Sequence, residues 1–235
     1  MILLFGGTGY IGRKLARLLL LRGHRVLIVA RKKTSSFEKE FFSKFLEDER
    51  LNFLYRDVLN LTIYDLVSLQ VVKHGIYAVI NLVTSTTGSR RVIIRDNVLA
   101  VNKVLSLIRC IKSMWPKAIF IQLGSITELS YNSGSIYSKA KKEVRKIIQD
   151  SSMCDFHLVF GFTYGENPRM ISDLRKILPF CYKYKSLLHG FRMACIHVEV
   201  MSLKAILATM ELLHKEVSFF FTKNKKGIKN TLIKN

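Results

Sequence analysis

The chain has 235 residues, the size of one large domain or of a domain with a small appendage, and its 49% apolar content can fill a well-buried core. No apolar run approaches the about 18 residues of a membrane span, and no positively charged leader precedes the first apolar strand, so neither a membrane span nor a signal peptide is expected. Its 38 Lys and Arg outnumber 17 Asp and Glu, and a net charge of +21 points to phosphate-bearing partners: nucleic acid, anionic membrane or nucleotide ligands.

The chain alternates short apolar runs with helical spacing. Residues 2–5 (ILLF) read as a buried strand. Ile11, Leu15, Leu18 and Leu19 follow at helical spacing, with Gly23 as a stop. Residues 25–30 (RVLIVA) are a second strand and 37–48 a helix. A third strand is expected at 52–55 and a helix at 63–72. Residues 77–83 (YAVINLV) are a fourth strand. A long helix covers 97–114 and stops before Pro116. Residues 118–123 are a fifth strand, 138–149 a lysine-rich helix and 156–160 a sixth strand. This pattern predicts an α/β fold, a doubly wound parallel Rossmann-type sheet with helices on both faces.

From about Thr163 the pattern changes. Two loops surround a helix, and then 194–198 (strand), 202–215 (helix) and 217–222 (strand) follow. The expected organisation is a dinucleotide-binding domain over 1–162 and a small C-terminal substrate lobe over 163–222, interleaved with the end of the sheet. A frayed basic tail covers 223–235. Cys110, Cys154, Cys181 and Cys195 form no CxxC pair and fit reduced, mostly core cysteines of a cytoplasmic protein. The scattered histidines show no metal-ligand spacing, so no metal site is expected.

The first strand runs into LLFGGTGYIGRKL, with Gly6, Gly9 and Gly12 three apart before the first helix. Between a strand and a helix, such glycines allow a tight turn, backbone approach to a pyrophosphate and close helix packing. The helix N-terminus then offers N–H groups and a positive dipole to phosphate. Thr8, Tyr10 and Ile11 belong to the same cofactor turn. At the end of the second strand, NAD-binding sites usually place an acid, roughly 20 residues beyond the glycines. Here Arg31 stands there, with Lys32 and Lys33 beside it. A guanidinium suits a 2′-phosphate, which favours NADP over NAD.

Later in the chain, Tyr137 and Lys141 are four apart at a helix start and share one face. Ser125 follows the fifth strand, at the carboxyl edge of the sheet where open α/β sheets bind ligands. An ammonium near a phenol favours the phenolate, so Lys141 is expected to lower the pKa of Tyr137.

The opening stretch through Arg31 resembles extended and atypical short-chain dehydrogenase/reductases, including the NAD(P)-dependent epimerase/dehydratase group that acts on nucleotide sugars. Their GxxGxxG matches Gly6, Gly9 and Gly12. YRDVLNLTIYDL resembles the segment whose Asp contacts adenine, here Asp57. YAVINLV resembles the strand under the cofactor and brings Leu82 to it. GSI followed by YSKAK resembles the family's catalytic Ser and Tyr-x-x-x-Lys. The resemblance implies that Tyr137 passes a proton while hydride moves, that Lys141 also holds the nicotinamide ribose, and that Ser125 hydrogen-bonds the substrate oxygen. Thr127 is an alternative for that hydroxyl. VFGFTYGENPR and FRMACIHVEV resemble substrate-lobe loops, which implies substrate-binding roles for Arg169 and Arg192.

Departures cluster in that lobe. Phe160 and Gly161 stand where the family often has Arg-Pro. Met193 replaces an Asp, Arg192 lies one residue further back, and Glu199 and Val200 follow His197 and Val198. A nucleotide-linked sugar is the expected substrate. Basic residues interleaved with aromatics between Arg175 and Arg192 also suit nucleic acid, the less favoured partner. A non-catalytic NADP-binding regulator or nucleic-acid-binding protein on the same fold is the alternative function. Family members often dimerise through the helices after strands four and five, and residues 97–114 offer apolar surface for a homodimer.

Overall fold

The structure is a computed structural model that describes residues 1–31, 41–69, 73, 75–129, 134–160, 162–164, 195–197 and 231–232. In chain order, β1 (Ile2–Phe5) leads to α1 (Tyr10–Leu21), β2 (Val26–Ala30) and β3 (Leu51–Tyr55). After α2 (Ile63–Val67) comes β4 (Ala78–Asn81). Then α3 (Arg90–Ile94) continues through a π-helical segment (Arg95–Leu99) into α4 (Ala100–Met114). β5 (Ile119–Ser125), α5 (Ile136–Ser151) and β6 (Phe156–Phe160) follow.

These six strands form a parallel sheet in the order β3-β2-β1-β4-β5-β6. The order reverses between β1 and β4, which opens a crevice at the carboxyl ends of the strands. β7 (Phe162–Tyr164) and β8 (Cys195–His197) pair in parallel as a separate two-stranded sheet. β9 (Thr231–Leu232) adds a seventh parallel strand against Leu158 and Val159 of β6. Two residues of the expected frayed tail thus satisfy backbone groups on the edge of β6.

Alternation along the strands gives each face its own core. Ile2, Leu4, Val26, Ile28 and Ile80 pack with Leu15, Leu19 and Leu20 of α1. Leu3, Phe5, Leu27, Val29 and Val79 pack with Val104, Ile108 and Ile111 of α4 and with Val144 and Ile148 of α5. Because β1 and β4 are buried on both faces, their sequences read as continuous apolar runs, as a covered parallel sheet requires.

Some boundaries differ from the sequence expectation. The helix expected at 97–114 begins at Arg90, where the Ser89 hydroxyl accepts the Val92 N–H at 3.4 Å. Its π-helical segment inserts extra residues and breaks the 3.6-residue spacing of apolar positions, which hid the first turns. Ser135 caps α5 by accepting the Ser138 N–H at 3.1 Å, so α5 starts just ahead of Tyr137. Of the helix expected at 37–48, residues 37–40 lie outside the described residues; Phe41 is helical, and a short 3₁₀ turn, Ser43–Phe45, follows. Cys154 is buried as expected, but Cys110 lies exposed on α4. The segments 202–215 and 217–222, with most of the expected substrate lobe, lie outside the described residues.

Leu19 is fully buried between α1 and the sheet. Leu19→Ala is expected to destabilise the fold by about 2–5 kcal/mol in urea unfolding, without changing which ligands bind.

Candidate functional site

The glycine turn forms at the crevice. Gly6 leaves β1 with φ +75°, a left-handed conformation that favours glycine. Its carbonyl accepts the Gly9 N–H at 3.0 Å. A Cβ on Gly12 would lie 2.4 Å from that same carbonyl oxygen, so α1 docks on the turn only with hydrogen there. Gly9 is the residue before the first turn of α1, and no side chain caps that end. The first turn also carries no acid. Its amides and the helix dipole therefore suit an anion, which fits a pyrophosphate.

One cleft joins this turn to the second motif. Gly6, Gly9, Tyr10, Ile11, Gly12 and Leu82 line it together with Ser125, Tyr137 and Lys141. Val83, Thr84, Thr86, Leu123 and Gly124 complete the wall. Nine of the residues singled out from sequence are thus brought to one place from β1, α1, β4, β5 and α5. Thr8 is half-buried and is not part of this lining.

The Tyr137 phenol hydrogen-bonds to the hydroxyls of Ser125 and Thr84. Ser125 Oγ also accepts from the Thr127 hydroxyl at 3.0 Å. Lys141 is 3% exposed, and its Nζ sits 5.6 Å from the centre of the Tyr137 ring. Burial pushes the Lys141 pKa down to about 8, partly opposed by the negative charge of Glu128. Burial also pushes the Tyr137 phenol up, and Glu128 adds to that. The expectation that Lys141 lowers the Tyr137 pKa is therefore corrected. Desolvation of the phenolate is the larger effect, and the ammonium lies over the ring, where it makes a cation–π contact.

The other positions read for the cofactor are tied to α3 and its π-helical extension. Arg31 Nη1 donates to Asp96 Oδ1 at 3.2 Å, with Arg31 half exposed and Asp96 buried. Arg95 Nη1 approaches the same oxygen at 3.4 Å. Asp57 accepts the Leu59 N–H at 3.0 Å and pairs with Arg95 Nη2, so its carboxylate is already engaged. Lys32, Arg169 and Arg192 lie outside the described residues.

The sequence matches the family described as NAD dependent epimerase/dehydratase over residues 2–157. The chain belongs to that family. It is an NAD(P)-dependent enzyme of the short-chain dehydrogenase/reductase type. Among curated proteins the sequence search finds no match. Similar solved structures include UDP-glucuronic acid 4-epimerase from Bacillus cereus in complex with NAD, at TM-score 0.67 and 16% identity, covering 97% of this chain and 76% of that one. The UDP-Glc/GlcNAc 4-epimerase of Campylobacter jejuni aligns at TM-score 0.63 and 14% identity, over 97% and 79%. ElxO with NADP bound aligns at TM-score 0.65 and 17% identity, over 94% and 93%. At such identities the likeness establishes the fold, and the family match carries the membership. No helix among the described residues is long and apolar enough to cross a membrane.

Within this epimerase/dehydratase-family site, several polar residues escaped the sequence reading. Thr84 donates to the buried Asn97 at 2.8 Å, and Asn97 donates to the carbonyls of Ser85 and Ile93. Asn81 donates to Gln122 at 2.9 Å across β4 and β5. Glu128 and His157 are buried behind Ser125. Asn81 carried a signal, a polar residue at the carboxyl end of an otherwise apolar strand; Asn97 in the π-helical segment, Glu128 in the 3₁₀ turn and His157 at the start of β6 carried none.

Gly12→Ala would press a methyl into the Gly6 carbonyl. Calorimetric titration with NADPH is expected to show at least tenfold weaker binding for a folded Gly12→Ala protein; unchanged affinity would contradict the assignment of the turn.

Proposed function

We propose that this enzyme uses NADP(H) to transform a nucleotide-linked sugar, with Ser125, Tyr137 and Lys141 as its catalytic set. The observation that carries the reading is the single cleft that holds both the uncapped start of α1 and the Ser–Tyr–Lys cluster. A bound nicotinamide supplies the hydride acceptor or donor.

Ser125 and Tyr137 present two hydroxyls joined by a hydrogen bond. A substrate oxygen placed against both has one donor to orient it and one to exchange a proton with. Tyr137 holds its proton at neutral pH, because burial disfavours the phenolate. It is thus set to donate that proton to an oxygen that gains negative charge. In the reverse direction, negative charge on Tyr137 is stabilised by the Ser125 hydroxyl and by the Lys141 ammonium. Lys141, protonated below pH about 8, also offers N–H donors to ribose hydroxyls beside the ring.

Arg31 supports NADP over NAD. It is half exposed, and Asp96 takes one edge of its guanidinium. The remaining donors can meet a 2′-phosphate bidentately. The Bacillus cereus and Campylobacter jejuni structures are those of a UDP-glucuronic acid 4-epimerase and a UDP-Glc/GlcNAc 4-epimerase, which supports that substrate class. The net charge of +21 favours a substrate that carries a diphosphate.

Two measurements test this reading. The protein is incubated with NADP and UDP-glucuronic acid, and both nicotinamide absorbance and the sugar products are followed. Tyr137→Phe is expected to lower turnover at least about 100-fold with NADPH affinity nearly unchanged; retained turnover would remove Tyr137 from the chemistry. Arg31→Ala is expected to weaken NADPH binding by roughly 10–100-fold and to leave NADH binding unchanged. Equal losses for both cofactors would contradict the 2′-phosphate role.

A further inference from the structure

Behind the Ser–Tyr–Lys set lies a second buried polar cluster that the chemistry above does not use. Glu128 and His157 are fully enclosed, one in the 3₁₀ turn after β5 and the other on β6. Glu128 Oε2 accepts the Ser125 N–H at 3.3 Å. His157 Nε2 lies 3.3 Å from Glu128 Oε1, within ion-pair reach but without hydrogen-bond alignment. Both side chains press on Gly124. A Cβ there would stand 2.4 Å from His157 Nε2 and 2.8 Å from each Glu128 carboxylate oxygen. The strand end that carries Ser125 is thus shaped around this pair.

A buried carboxylate needs compensation, and its removal from water costs several kcal/mol when none is present. The titratable groups that face Glu128 are His157 from β6 and Tyr137 and Lys141 from α5. Lys141 is itself a buried cation, and its own fold position gives it no paired carboxylate at hydrogen-bond distance among the described residues. The Ser138 hydroxyl donates to the Thr127 carbonyl at 2.8 Å and so ties the turn of α5 that carries Lys141 to the 3₁₀ turn that carries Glu128. The two buried charges act on one another through space, without a hydrogen bond between them.

We propose that Glu128 is a positioning residue of this active site: packed against His157 across Gly124, its carboxylate holds the Ser125 backbone and is the buried counter-charge to Lys141. The inference rests on the Ser125–Tyr137–Lys141 reading for its catalytic consequence, but its electrostatic part does not need a substrate.

The sign of the effect follows from charge. The Glu128 carboxylate raises the pKa of both Lys141 and Tyr137. Its neutralisation in Glu128→Gln lowers both. Lys141 titrates near 8 in the folded chain against 10.5 for an ordinary lysine. Below the lower value both folded and unfolded chains hold the proton, and the buried ammonium costs stability in full. As pH rises from the lower value to the upper one, the folded chain has released the proton first, and that cost is relieved.

The test uses the full chain without ligand. Melting temperature is followed from about pH 6 to about pH 10 for the wild type, Glu128→Gln and Glu128→Asp. The rise that comes from Lys141 is expected to start about one pH unit lower in Glu128→Gln, and Glu128→Asp, which keeps the charge, is expected to follow the wild type. A Glu128→Gln profile parallel to the wild type overturns the counter-charge role. Turnover of UDP-glucuronic acid with NADP is then measured. In Glu128→Gln both limbs of the pH–kcat profile are expected to move to lower pH by a similar amount. Glu128→Asp draws the carboxylate back from Ser125 and is expected to lower kcat about tenfold with the KM for NADP little changed. An unchanged kcat in Glu128→Asp overturns the hold on Ser125, and this arm decides alone if Glu128→Gln fails to fold. Tyr137→Phe separates the two levels: if it retains turnover, the catalytic reading falls while the ligand-free melting test still judges Glu128.

Discussion

Helix α1 can begin where it does only because Gly12 has no side chain. The Gly6 carbonyl occupies the space that a Cβ would need, at 2.4 Å. This contact fixes the angle at which α1 leaves the turn and sets Leu15, Leu19 and Leu20 onto one face of the sheet. It also points the uncapped start of the helix into the crevice beside β4. The same crevice is open because the strand order reverses between β1 and β4. From the far side, β5 and α5 bring Ser125, Tyr137 and Lys141 to it. A nucleotide turn and a proton-transfer set therefore share a wall through backbone topology alone.

The two ends of the sheet differ in chemistry. Ile2, Leu3, Val26, Leu27, Ala78 and Val79 fill its amino half with apolar atoms. At the carboxyl half, Asn81, Gln122, Asn97, Glu128, Lys141 and His157 are buried. Polar groups in such positions cost stability unless they are paired. Most of them are: Asn81 with Gln122, Asn97 with Thr84 and two carbonyls, Glu128 with the Ser125 N–H. A fold does not need these groups for its core. Their concentration at the ligand edge is what an active site requires, since preorganised dipoles act most strongly where water is excluded.

Much of this was legible in sequence because it is local. Gly6, Gly9 and Gly12 read correctly as a turn since all three lie within one strand-turn-helix unit. Tyr137 and Lys141 read correctly as neighbours since four residues make one helical turn. Strand runs were legible because burial on both faces makes them uniformly apolar. What failed to show was set by distant partners. Arg31 meets Asp96 across 65 positions, and Arg95 reaches Asp57 across 38. The depth at which Tyr137 is buried, which reverses the expected direction of its pKa, has no local signature. His157 and Glu128 come together only when β6 is laid beside β5. The first turns of the helix at Arg90 were missed because the π-helical segment shifts the apolar spacing.

The central claim is that one dinucleotide spans both motifs. A crystal structure of the enzyme with NADPH tests it most directly. The account predicts the pyrophosphate at the amides that open α1, the 2′-phosphate at Arg31, and the nicotinamide ring beside Tyr137 and Lys141. A dinucleotide bound with its nicotinamide away from Tyr137, or with its pyrophosphate off the start of α1, would contradict it.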